Sequence, residues 1–216
     1  PLETEQAVAL SNRLKKSKVP MLIAADLERG GQGALKKGTK MANQMQIAAS
    51  GPRKKEHARR LADVCANEAE SVGVNWAFAP DTDIDLNFRN PITNVRTYGS
   101  DPDTVAELGV EYIRELQSRG MAATAKHFPG DGVDERDHHL VTNVNTLSKE
   151  EWDKSYGKVY KACIDAGVMA VMAGHIMQPA YTKYLNPQIK DDDILPATLS
   201  EELLQGLLRK RLGFNG

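Results

Sequence analysis

The sequence holds only two cysteines, Cys65 and Cys163, and aromatic residues make up 6% of it. A disulfide framework is therefore excluded as the source of stability, and the two thiols, each on the apolar face of a predicted helix, are expected to be buried and unpaired. Charge of one sign is also missing. Lys plus Arg number 28 against 29 Asp plus Glu, so the electrostatic footprint of a nucleic-acid or anionic-membrane binder is absent. No apolar run reaches the length of a membrane span, and the first residues carry no secretory h-region. A chain that opens on Pro1 is expected to be trimmed, which leaves the compartment open between cytoplasm and cell exterior. Internal repeats, low-complexity tracts and a linker-like change of composition are lacking too. With 216 residues and 41% hydrophobic content, a globular protein of one large domain or two small ones is expected.

What is present alternates. Apolar runs at Met21 to Ala25, Val74 to Ala79, Ala122 to Ala125 and Val168 to Ala173 read as buried strands. Helical stripes lie between them: Ala58, Leu61, Cys65, Ala69 and Val72; Val105, Leu108, Tyr112 and Leu116; Trp152, Tyr156, Val159 and Cys163. Ser148 with Glu151 forms a capping box for the third, Ser200 caps a last leucine-rich helix, and Val8, Leu10 and Leu14 suggest a first helix. The stretch Gln178 to Pro196, with three consecutive aspartates from Asp191, reads as a polar loop. Alternating strands and helices predict an α/β fold with a parallel sheet and helices packed outside it.

Chemically capable residues collect just after each strand: Asp26; Asp81 and Asp83; Lys126 and His127; His175. The carboxyl ends of parallel strands are where sites are built in barrels and open sheets alike. No GxGxxG follows the first strand, which disfavours a dinucleotide-binding sheet. The richest segment is KHFPGDGVDERDHHL, Lys126 to Leu140. Pro129, Gly130 and Gly132 force a loop there, and Asp137 and His139, two apart in an extended chain, can face the same way as a carboxylate–imidazole pair suited to proton transfer. On residue types alone, a plain polar loop is an equal alternative. A metal site drawn from His127, His138, His139, His175 and Asp26 is a weaker one, because no His pair has helical spacing and Lys126 disfavours a cation.

KHFPGDG followed by DHH resembles the KHFPGHG and DSH segments of family 3 glycoside hydrolases, in their β-N-acetylglucosaminidase branch. PMLIAADLERGG, AFAPDTDI, NPITNVRTYGSDP, VMAGHI, PATLS and LRKRLGF agree with that family in order. The resemblance implies a (β/α)8 TIM-type barrel of which only about half, strands 2 to 5, is present. It also implies retaining hydrolysis of terminal β-linked N-acetylglucosamine from peptidoglycan fragments or chitin-like oligosaccharides. By motif match, His139 is the general acid/base and Asp137 its orienting partner, while Asp26, Arg96, Lys126 and His127 hold the sugar. No cofactor and no metal are implied.

Two positions depart from the pattern: Asp131 stands where the family has its second histidine, and His138 where it has serine. The family's nucleophilic Asp would follow the LGF segment, beyond Gly216, so the chain alone is expected to be inactive. The open edges of a half barrel leave room for self-association. Two other readings stay open at this point: a non-catalytic carbohydrate-binding or interaction protein on a truncated barrel, and a metal-dependent hydrolase on the same scaffold.

Overall fold

The computed structural model describes residues 1–216. It is an α/β fold, a partial TIM-type barrel in which parallel strands alternate with helices and no barrel closes. In chain order the elements that position the site are α1 (Thr4–Leu14), β1 (Ala24–Ala25), α2 (Gln44–Ala48), α3 (Lys54–Ser71), β2 (Trp76–Ala77), α4 (Pro102–Ser118), β3 (Thr124–Phe128), β4 (Asn143–Val144), α5 (Lys149–Trp152), α6 (Lys158–Asp165), β5 (Ala170–Ala173), β6 (Ile176–Met177) and α7 (Pro179–Leu185). A last helix spans Glu202–Arg211.

Strands β1, β2, β3 and β5 run side by side in that order, while β4 pairs in parallel with β6 apart from them. Ala24 pairs with Trp76, Trp76 bridges to Ala122, Asp81 bridges to Lys126, and Thr124 pairs with Ala170, all parallel. The β3–β5 register shifts between Lys126 and Phe128, and the Lys126–His127 peptide is cis. All of β3 is buried, as a strand covered on both faces must be. On the outside, α3 presents Ala58, Leu61, Ala62, Cys65, Ala66 and Ala69, against which α4 packs Val105, Leu108, Tyr112 and Leu116. Small residues on α3 let the larger ones on α4 sit close, and the two helices share one apolar core with Val159, Tyr160 and Cys163 of α6.

Local chemistry explains the boundaries. Asp101 caps α4 by accepting from the amides of Asp103 and Thr104, with Pro102 in the first turn. Ser148 and Glu151 form the predicted reciprocal capping box. Between α5 and α6 the helix widens over Asp153–Gly157, where the Ser155 hydroxyl donates to the Glu151 carbonyl at 2.7 Å. Cys65 and Cys163 are buried and free, as expected.

Four expectations are corrected. Lys126 and His127 lie within β3 rather than just after it, because pairing with β5 carries the strand on to Phe128. The first strand begins at Ala24 rather than Met21, because the Asn75 side chain takes up the backbone there: it accepts from the Ile23 amide at 2.7 Å and donates to the Met21 carbonyl at 3.0 Å. Helix α1 forms, but buries Ala7 and Ser11 while Leu10 is 44% exposed, so its small face docks rather than its leucines. The stretch Gln178 to Pro196 is not all loop. Gln178 caps α7 through the Tyr181 amide at 2.6 Å, and Tyr181 packs edge-on against Trp152, a tertiary contact that local composition does not show.

Candidate active site

The carboxyl ends of β1, β2 and β3 converge on one charged cluster. Glu28, two residues beyond Asp26, accepts a bidentate pair of bonds from Arg96 (Nε at 2.8 Å and Nη2 at 2.7 Å) and lies 2.7 Å from the Lys126 ammonium. Lys126 also reaches Asp26 at 3.3 Å. Burial alone would push the Glu28 carboxyl up, but the two cations outweigh it and hold the group down at about 2. Asp26 differs: its side chain is 71% exposed. It opens onto a cleft of about 440 Å³ that Glu28, Arg29, Gln32 and Arg96 also line. Arg96 pairs with neither Asp101, which caps α4, nor Asp103, which meets Lys158.

Asp83 organises the next layer. Its Oδ1 accepts from the amides of His127 (3.1 Å) and Asp131 (2.7 Å), and its Oδ2 lies 2.7 Å from His127 Nδ1. One carboxylate therefore fixes both the end of β3 and the turn after it, and leaves Nε2 as the free nitrogen of the His127 ring. Burial pushes His127 down to about 4 and Asp83 up to about 6, so near neutral pH the ring is uncharged. Asp81, fully buried, is driven up by burial and by the charge on Asp83; one of its oxygens lies 3.6 Å from Arg96.

Asp81, Asp83 and His127 bring ligand-type atoms within 4.8 Å of one another. They fit a metal poorly, because Asp83 already accepts from His127 and Arg96 supplies the positive charge at Asp81. The five-residue metal set considered from the sequence does not assemble, since Asp26 turns to Lys126 and His175 is exposed and bonds Thr198 at 3.2 Å.

The turn after β3 is clamped from the helix that follows. Trp152 Nε1 donates to the Pro129 carbonyl at 2.8 Å, and the Tyr156 hydroxyl donates to the Asp131 carbonyl at 2.5 Å. Gly130 and Gly132 have φ of +120° and +104°; a Cβ at Gly132 would stand 2.0 Å from the Ile84 carbonyl oxygen. The chain then runs out to Asp137 and His139, anchored by Val144 N bonding Asp134 Oδ2 at 2.8 Å and Asn143 Nδ2 donating to the Arg136 carbonyl at 2.7 Å.

Asp137 and His139 meet, though across a turn rather than in the extended chain expected: Asp137 Oδ1 lies 2.7 Å from His139 Nδ1 and accepts the His139 amide at 2.8 Å, and the Asp137 carbonyl accepts the Leu140 amide at 3.0 Å. These two bonds hold the Asp137 carboxyl below its usual range. The imidazole, 59% exposed, is thereby oriented with Nε2 free. It borders a second cleft of about 420 Å³ shared with His138, His175 and Thr198. His138 bridges the clusters, its ring 4.4 Å from that of His139 and 5.1 Å from that of His127, edge to face. The largest cleft, about 700 Å³ between α7 and the last helix, contains none of these residues.

Each sequence-predicted residue thus falls in one continuous band. Asp26, Arg96, Lys126 and His127 lie at one end, Asp137 and His139 at the other. Glu28, in the bend beyond β1, joins the cluster without a signal in the local sequence pattern.

The family model described as glycosyl hydrolase family 3 N-terminal domain matches residues 2–216. A beta-N-acetylglucosaminidase/beta-glucosidase of Cellulomonas fimi is 54% identical over 98% of the chain and 37% of its own length. A solved structure of a beta-glucoside phosphorylase, bound to 2FGlc, superposes with a TM-score of 0.96 at 48% identity, over 100% of this chain and 39% of that one. A family 3 beta-N-acetylglucosaminidase from Paenibacillus sp. str. FPU-7 superposes with a TM-score of 0.86 at 35% identity, over 99% of this chain and 40% of that one. The chain thus spans between a third and a half of each relative's length.

Proposed function

Because the chain belongs to glycosyl hydrolase family 3, we propose that its protein is a retaining β-N-acetylhexosaminidase that removes terminal β-linked N-acetylglucosamine from peptidoglycan fragments or chitin-like oligosaccharides. The observation that carries this reading is the Asp137–His139 pair, a carboxylate 2.7 Å from Nδ1 of an exposed imidazole. Asp26, Arg96, Lys126 and His127 hold the sugar: Asp26 offers exposed acceptor oxygens to hydroxyl donors, and the cations, fixed on Glu28, offer N–H groups to ring substituents.

His139, protonated at Nε2, gives its proton to the glycosidic oxygen as the C1–O bond breaks and a carboxylate nucleophile bonds to C1. Neutral His139 then takes a proton from the incoming water, which displaces the nucleophile and restores the imidazolium. Asp137 keeps the tautomer and stabilises the charged ring. We assign the nucleophile to the part of the protein that corresponds to the remainder of the longer relatives, and residues 1–216 to the first portion of the barrel domain. These residues on their own are then not expected to turn over substrate. The chemistry calls for no metal.

A second reading is favoured by the solved phosphorylase at 48% identity. After giving up its proton, an imidazole is neutral where a carboxylate would be negative, so phosphate can approach C1 in place of water. One experiment separates the outcomes: the full-length protein is incubated with an aryl β-N-acetylglucosaminide and an aryl β-glucoside, with and without inorganic phosphate. Free N-acetylglucosamine as the main product supports the hydrolase. Sugar 1-phosphate supports phosphorolysis, and a preference for the glucoside moves the substrate class. Sugar binding without turnover of either would replace both by a carbohydrate-binding role.

A further inference from the structure

Two buried polar side chains after β3 face one another without being bonded. Asp131 is fixed on every other side. Its amide donates to Asp83, its carbonyl accepts the Tyr156 hydroxyl, and its Oδ1 accepts from Asn90 Nδ2 at 2.8 Å and from the Gly132 amide at 2.7 Å. Its Oδ2 has no partner, and neither has either ring nitrogen of His138, a residue only 4% exposed. Nε2 of that ring lies 4.0 Å from the free oxygen.

Leaving a buried donor and acceptor unbonded is costly, whereas 4.0 Å is too long for a hydrogen bond, so a movement of about 1 Å would exchange two unsatisfied groups for one bond. Burial, and then the proximity of His127, hold the His138 ring down at about 3, so it is neutral and carries a single N–H to give. Asp131 belongs to the clamped turn and cannot follow; the movable partner is the segment carrying His138 and, one peptide further, His139. Asp131 and His138 are also the two positions at which the loop departs from the segments it resembles.

We propose that Asp131 and His138 form a positioning pair, whose Nε2–H to Oδ2 bond closes as substrate seats and sets how far His139 reaches toward the leaving-group oxygen. The inference rests on the reading of His139 as the acid/base residue. Neither member touches the reacting atoms; both act through His139.

The test uses the full-length protein and kcat/KM for two glycosides of the same sugar, one leaving as 2,4-dinitrophenolate and one as an alkoxide. The first departs without protonation; the second needs the acid. His138→Ser and Asp131→Ala are each expected to lower kcat/KM on the alkyl glycoside about tenfold, with less than about twofold loss on the dinitrophenyl one. The double variant is expected to match either single, because the pair acts as a unit. His138→Gln, which keeps a donor near Nε2, is expected to recover most of the loss and covers the case in which the serine variant does not fold. Equal losses on both glycosides, additive losses in the double variant, or no rescue by glutamine would overturn the pair. His139→Ala is the control. If it shows the alkyl-selective loss and His138→Ser does not, the positioning pair alone falls; if it shows none, the acid/base reading falls and takes the pair with it.

Discussion

The Lys126 ammonium sits 2.7 Å from the Glu28 carboxylate with its side chain 2% exposed, and Arg96 grips the same carboxylate from the other side. A lysine buried this deeply is tolerable only with such a partner. The site's positive charge is therefore a property of the triad rather than of any one residue.

The triad predicts a sign for acid sensitivity. The Glu28 carboxyl is held down at about 2 against an ordinary value of 4.5, so its contribution to stability is complete above pH 4.5 and is lost as pH falls toward 2. The contribution is on the order of a few kcal/mol. Urea unfolding of the wild-type protein should show a midpoint that falls across that window. Glu28→Gln should flatten the fall while lowering stability at pH 7 by about 3 kcal/mol or more, because it removes the nearest counter-charge of two cations. An unchanged pH dependence in the variant would remove Glu28 from this role.

Asp137→Asn leaves the shape of the loop's end but removes the negative charge beside His139 Nδ1 and lets the ring adopt the wrong tautomer. A loss of kcat by about 10²-fold to 10⁴-fold is expected, with KM little changed. Steady-state kinetics on an alkyl glycoside would show it. A loss confined to KM would make Asp137 a binding group instead.

Gly132 is held at φ +104° with the Ile84 carbonyl oxygen 2.0 Å from where a Cβ would lie. Gly132→Ala should therefore cost more than about 2 kcal/mol, since both the backbone conformation and the space are denied. Chemical denaturation measures this, and stability within about 0.5 kcal/mol of wild type would show that the turn relaxes freely.

Chelation should leave turnover unchanged. Asp83 already accepts from His127, Arg96 supplies the positive charge beside Asp81, and the proton transfer proposed for His139 needs no Lewis acid. Loss of activity in a chelator, restored by zinc, would overturn that.

Much of this arrangement is legible in the chain. The periodicities of α3 and α4 follow from burial on one face, and capping chemistry at Asp101 and Ser148 marks where helices start. The Asp137–His139 pairing is foreshadowed by their closeness in the chain, although a turn rather than an extended segment makes it. What sequence could not give is long-range: Glu28 becomes the anchor of the cations only because Arg96, 68 residues away, folds back onto it. Likewise α7 forms in a polar stretch because Tyr181 finds Trp152, and the first strand starts late because Asn75 substitutes for a neighbouring strand. Such pairings depend on which elements become neighbours, and no local window records that.

The carbonyl of Leu27, between the two acids of β1's end, accepts both the Tyr112 hydroxyl at 2.6 Å and the Cys65 thiol at 3.2 Å. Burial pushes that thiol up to about 11 and Cys163 up to about 12, so in the native state neither presents a thiolate to an alkylating reagent. Both can react only when the α3–α4–α6 layer parts from the strands. The protein thereby carries its own chemical clock: the rate at which Cys65 becomes alkylated counts the moments when the support beneath Asp26, Glu28 and Arg96 is loosened.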